Sequence, residues 1–142
     1  MIIHTASEGV SLARKLENDS AAFYEELAKQ YSKDAETFLS FSRENKKNII
    51  QFERAYYGVI TDAIEGCYAF NIEADDYALD LSVAKGAGYT DVAKKAIKLE
   101  EKIKKYYEEA AEQSKSLMAD VPRAFSLIAK KRVNRIEKLK AL

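Results

Sequence analysis

The chain has 142 residues with 23 basic and 23 acidic side chains, so its net charge is zero and it offers no global field to draw nucleic acid or an anionic membrane. Hydrophobic residues make up 47% and charged residues 32%, with five glycines and one proline, a balance that excludes a disordered chain and predicts one helical domain with a real core. A single cysteine excludes an intramolecular disulfide and a thiolate zinc cluster, and no run approaches the ~20 apolar residues of a membrane span.

The first residues, MIIHTASEG, carry no signal-peptide pattern, and with the lone cysteine this predicts a reducing, cytoplasmic setting. Cys67 reads as a small buried apolar side chain, and His4 as incidental in a frayed terminus. Thr5-Ala6-Ser7-Glu8 is a capping-box pattern that starts a helix near Ala6 and carries it to about residue 31. Its inward stripe is Ala13, Glu17, Ser20, Tyr24, Leu27 and Tyr31. A second helix spans about 33–57, with Phe38, Phe41, Asn48, Phe52 and Ala55 inward, Glu44 and Lys47 beside them, and Gly58 as its stop.

Residues 58–90 hold four of the five glycines and form the long connection, with short helices expected around 62–70 and 77–84. The third helix is expected over 91–116, opening at Thr90-Asp91, with Ala93, Ile97, Glu100, Ile103, Tyr107, Ala110 and Ser114 buried. The fourth runs over about 121–141 from Pro122, its stripe being Phe125, Ile128, Arg132, Arg135, Leu139 and Leu142. Lys130, Lys131, Lys138 and Lys140 read as a solvated face, with no interleaved aromatic residues for stacking on bases.

Two stretches repeat. Ala13–Gln30 (ARKLENDSAAFYEELAKQ) and Ala96–Gln113 (AIKLEEKIKKYYEEAAEQ) are identical at nine of eighteen positions, and each sets a glutamate (Glu17, Glu100) on the apolar stripe seven residues before a tyrosine (Tyr24, Tyr107). The copies head two hairpins, and connections running short, long, short predict an all-α four-helix bundle with one crossover.

The pattern of a glutamate, then an aromatic pair, Glu-Glu and alanine is met by Glu17, Phe23, Tyr24, Glu25, Glu26 and Ala28, and again by Glu100, Tyr106, Tyr107, Glu108, Glu109 and Ala111. Over nearly the whole chain it resembles the rubrerythrin-like branch of the ferritin-like diiron proteins. The resemblance implies a ferritin-like bundle in which helices one and three each give a metal-binding glutamate and helices two and four each give Glu-x-x-His. Laid on this chain, the second-helix motif falls on Glu44-x-x-Lys47 and the fourth on Arg132-x-x-Arg135, so both histidines and one carboxylate are replaced by cations that have no lone pair for a metal.

The expectation is therefore a degenerate site without bound metal or other cofactor. Glu17, Glu44 and Glu100 oppose Lys47, Arg132 and Arg135 in a buried ion network, with Tyr24 and Tyr107 adjacent. The corresponding function is structural or through a protein partner, as a homodimer or other homo-oligomer, without nucleic acid or membrane. The competing reading is a diiron-type oxidoreductase acting on peroxide or dioxygen, with Glu17, Glu44 and Glu100 holding non-haem iron or manganese. A third is an unrelated helical bundle used as an interaction module, its repeat reflecting amphipathic composition alone.

Overall fold

A computed structural model describes residues 1–59, 68–84, 86–116 and 120–142. Cys67 lies outside the described residues. Four α-helices carry most of what is described: α1 (Ala6–Gln30), α2 (Ala35–Tyr57), α3 (Tyr89–Ser114) and α4 (Val121–Lys140). The capping box forms as the sequence predicts, with Thr5 Oγ1 accepting from the Glu8 amide at 3.1 Å and the Glu8 carboxylate accepting from the Thr5 amide at 3.0 Å. Gly58 ends α2, and Pro122 sits in the first turn of α4, where its missing N–H interrupts nothing. Between α1 and α2, Ser32–Asp34 form a 3-10 turn. The N-cap of α3 is Gly88 rather than Thr90, so the helix opens two residues early and without a side-chain cap.

α1 packs chiefly on α2, and α3 on α4. Ser42 bonds Glu25 while Asn48 bonds Glu17, which makes the first hairpin antiparallel. Tyr24 reaches Glu100 and Tyr107 reaches Glu17, so α1 and α3 are antiparallel too, and α2 and α3 point the same way. The long connection must therefore travel the length of the bundle.

It does so in a form that the sequence reading missed. Tyr68–Glu73 is a strand, β2, paired antiparallel with β1 (Ile2–Thr5) in the register Ile2 to Glu73 and Ile3 to Ile72. The short helix expected around 62–70 is thus contradicted at 68–70, and 62–67 lie outside the described residues. A 3-10 turn at Ala74–Tyr77 follows, and Ala78–Ala84 carry no helix, against the expectation of one over 77–84. The N-terminus is not frayed either: Ile3 and Ile72 are each 1% exposed, and His4 stacks on Tyr68 at 4.9 Å. The YAFNIE segment is rich in aromatic and β-branched residues, but its partner strand lies far away in sequence, at the N-terminus, and strand propensity depends on that partner.

Two apolar clusters fill the bundle. The one at the β1–β2 end holds Ile3, Val10, Phe52, Phe70, Tyr106, Phe125 and their neighbours. The other, near the α1–α2 turn, holds Phe23, Leu27, Phe38, Phe41, Val92, Ala96 and Leu139. Between them, at mid-helix, lies a layer of buried polar side chains.

Candidate functional site: a buried ion network

Each helix delivers polar groups to this layer by its own periodicity. α1 gives Glu17 and Ser20, α2 gives Asn45 and Asn48, α3 gives Glu100, and α4 gives Arg132 and Arg135, all of them within 2% exposure. Residues three apart share a helix face, so the pairs on α1, α2 and α4 point together into the centre.

Arg132 is the hub. Its Nη2 donates to Glu17 Oε2 at 2.5 Å, and its Nη1 donates to both oxygens of Glu100 at 2.9 Å, so one guanidinium bridges the two repeated glutamates. Arg135 Nη1 donates to Asn45 Oδ1 at 2.7 Å and Glu100 Oε1 at 3.2 Å, while its Nη2 donates to the Phe41 carbonyl at 3.1 Å and Glu44 Oε1 at 2.7 Å. The Arg135 guanidinium also lies 4.9 Å from the Phe41 ring centre and 5.4 Å from that of Tyr24.

The two tyrosines complete a crossed pattern that matches the repeat. Tyr24 donates to Glu100 Oε1 at 2.7 Å, and Tyr107 donates to Glu17 Oε1 at 2.8 Å. Asn48 Nδ2 adds a bond to Glu17 at 3.3 Å, and Asn45 Nδ2 one to Ser20 at 3.1 Å. Every oxygen of Glu17 and Glu100 is thereby engaged. That saturation is what permits buried carboxylates, since an unpaired ion in this interior would cost several kcal/mol.

One predicted member is misplaced. Lys47 is exposed and outside the network, because the inward pair on α2 is Asn45 and Asn48. A stripe of Phe38, Phe41, Asn45, Asn48 and Phe52, alternating three and four, leaves Lys47 one residue off the buried face. The third cation comes instead from Lys131, read from sequence as part of a solvated face. Its half-buried ammonium donates to Asn48 Oδ1 at 3.3 Å and Gln51 Oε1 at 3.0 Å, one amide away from Glu17. Glu44, with a side chain 37% exposed, sits at the rim. Three carboxylates thus meet two arginines directly, and Lys131 joins the layer only through the Asn48 and Gln51 amides. Ala93 and Ile97 are only half-buried and Leu142 is exposed, small rotations from the expected stripes.

Protonation follows from the geometry. Burial pushes the Glu100 carboxyl up, but the Arg132 and Arg135 charges outweigh it and hold the group below its ordinary 4.5. Burial, reinforced by the neighbouring carboxylates, raises Tyr24 and Tyr107 well above 10.0. For Arg132 burial pulls downward, and Glu100 and Glu17 more than reverse it. At neutral pH Glu100 is a carboxylate, Arg132 a cation, and the two phenols are neutral donors.

This donor set does not fit a metal. Guanidinium groups occupy the centre, and among the described residues no cluster of three or more His, Cys, Asp or Glu is placed to hold a metal ion. Nor is any helix among the described residues long and apolar enough to cross a membrane. The chain matches no protein-family model, no curated protein and no solved structure.

Proposed function

We propose that this chain is a rubrerythrin-related, ferritin-like bundle in which a guanidinium network stands where a dinuclear metal centre would be, and that it serves a structural or protein-interaction role. The carrying observation is that Arg132 bridges Glu17 and Glu100 at the centre of the bundle. The arrangement of inward positions supports the reading. One glutamate each comes from α1 and α3, and a pair three residues apart comes from each of α2 and α4, which is the ligand layout of the diiron bundles. The α2 pair is Asn45 and Asn48 rather than Glu44 and Lys47, so only two of six ligand positions keep the carboxylate or imidazole of a diiron centre.

An oxidoreductase would need Glu17, Glu44 and Glu100 to release their arginines and bind iron or manganese beside two fixed positive charges. Metal analysis of protein purified without chelator from iron- and manganese-supplemented cells decides between the readings, together with a near-ultraviolet search for oxo-bridge absorption. The proposal predicts substoichiometric metal and no such band. Iron or manganese in stoichiometric amount would overturn it, and peroxide or dioxygen turnover by that metal-loaded protein would establish the oxidoreductase reading instead.

A further inference from the structure

A groove of about 460 Å³ runs between α2 and α4, on the outer surface of the bundle. Its apolar lining is Ile50, Ala55, Ala124 and Leu127, and Ile50 and Leu127 remain 55% and 41% exposed. Its rim is cationic, with Lys47, Arg54 and Arg123. Among the described residues the only acid lining it is Asp120, paired with Arg123 at 3.9 Å, and Lys47 and Arg54 have no acidic partner. A chain of zero net charge has gathered unpaired cations around a strip of exposed aliphatic surface. Exposing clustered apolar side chains to water is unfavourable, and a charged rim around them is the pattern of a docking site.

The shape and charge select the occupant. Lys47, Ile50, Gln51 and Arg54 are spaced over two helical turns, about 10 Å, and face Arg123, Ala124 and Leu127 across the groove. We propose that this groove receives an acidic amphipathic helix of a partner protein, its apolar residues at i, i+3 or i+4 and i+7 laid on Ile50 and Leu127 and its carboxylates set against Lys47, Arg54 and Arg123. A second copy docked groove to groove would face these cations with their own images, which like-charge repulsion opposes. A membrane surface calls for protruding apolar side chains rather than a concave strip.

The proposal deepens the interaction role given above but does not rest on the ion network. If it fails, the metal-content result still decides that reading separately. The probe is a fluorescein-labelled helical peptide of about five turns with leucines at the stated spacing and flanking glutamates, compared with the same peptide carrying lysines for glutamates. Anisotropy should show binding of the acidic peptide, weakened about tenfold or more by Lys47→Glu with Arg54→Glu and again by Ile50→Asp, and weakened by added salt. Amide shifts on binding should centre on Ile50 and Leu127. The proposal is overturned if the two peptides bind alike or not at all, or if binding ignores Ile50→Asp. It is equally overturned if phosphatidylserine vesicles bind this face in place of the peptide, or if Ile50→Asp converts a self-associated protein to monomer in sedimentation.

Discussion

Arg132 has no counterpart in an ordinary helical core, where a stripe position at mid-helix would hold leucine. It is fully buried, and its two Nη atoms satisfy Glu17, Glu100 and Ser20 at once. Removing one member of such a network leaves opposite charges buried and unpaired, which costs about 3 to 5 kcal/mol, whereas replacing the whole set by apolar residues can be neutral. Arg132→Met or Arg135→Ala should therefore lower Tm by roughly 10 °C or more, and Arg132→Met combined with Glu17→Gln and Glu100→Gln should recover much of the loss. Thermal unfolding of the single and triple variants checks both. The pH response has two limbs. The folded state holds the Glu100 carboxyl below 4.5, so its contribution is complete above pH 4.5 and is lost as pH falls through the folded value. Tyr24 and Tyr107 are raised above 10.0, so their contribution is intact below pH 10 and is lost as pH climbs beyond it. In an alkaline titration their phenolate absorbance should appear together with the loss of helical circular dichroism, not before it. Glu17, Glu100, Arg132 and Arg135 were legible from sequence because an ionic residue on an apolar stripe breaks a regular pattern. Asn45 and Lys131 were not, since asparagine and lysine are ordinary on a helix surface and only the rotation of α2 and α4 brings them to Arg135 and Asn48.

At the scale of elements, the β1–β2 end of the bundle depends on one close approach. Gly9 lies under the Phe70 ring of β2, where an added Cβ would come within 2.3 Å of the ring edge, and its carbonyl accepts from the Tyr106 hydroxyl at 2.6 Å. Helix propensity alone would make Gly9→Ala stabilising by up to about 1 kcal/mol. Here the clash with a buried ring should reverse the sign, destabilising by about 1 to 3 kcal/mol, and Phe70→Leu in the same chain should relieve part of it; urea unfolding of the two variants measures the difference. Thr5→Ala should cost about 1 kcal/mol through the lost capping bond to Glu8, by the same assay. The four helices were readable because each carries its own stripe, cap or stop. The β1–β2 ribbon was not, because Ile2–Thr5 and Tyr68–Glu73 are each too short to declare a partner, and their pairing joins the N-terminus to the middle of the chain with no shared local signal.

Across the whole molecule, the repeat has a structural meaning that neither copy has alone. Each copy contributes a glutamate to one side of the centre and a tyrosine that bonds the glutamate of the other copy, so the two hairpins are cross-linked by Tyr24 to Glu100 and Tyr107 to Glu17. Arg132 and Arg135 then close the space between them. If this frame is that of a dinuclear centre, restoring the ligand types at the four substituted positions should restore metal binding. The variant carrying Asn45→Glu, Asn48→His, Arg132→Glu and Arg135→His, titrated calorimetrically with cobalt(II) alongside the unaltered chain, makes that comparison. The prediction is two ions per variant chain with a rise in Tm on loading and no stoichiometric binding by the unaltered chain. A folded variant that gains neither ions nor stability, or an unaltered chain that takes up two ions, would contradict it.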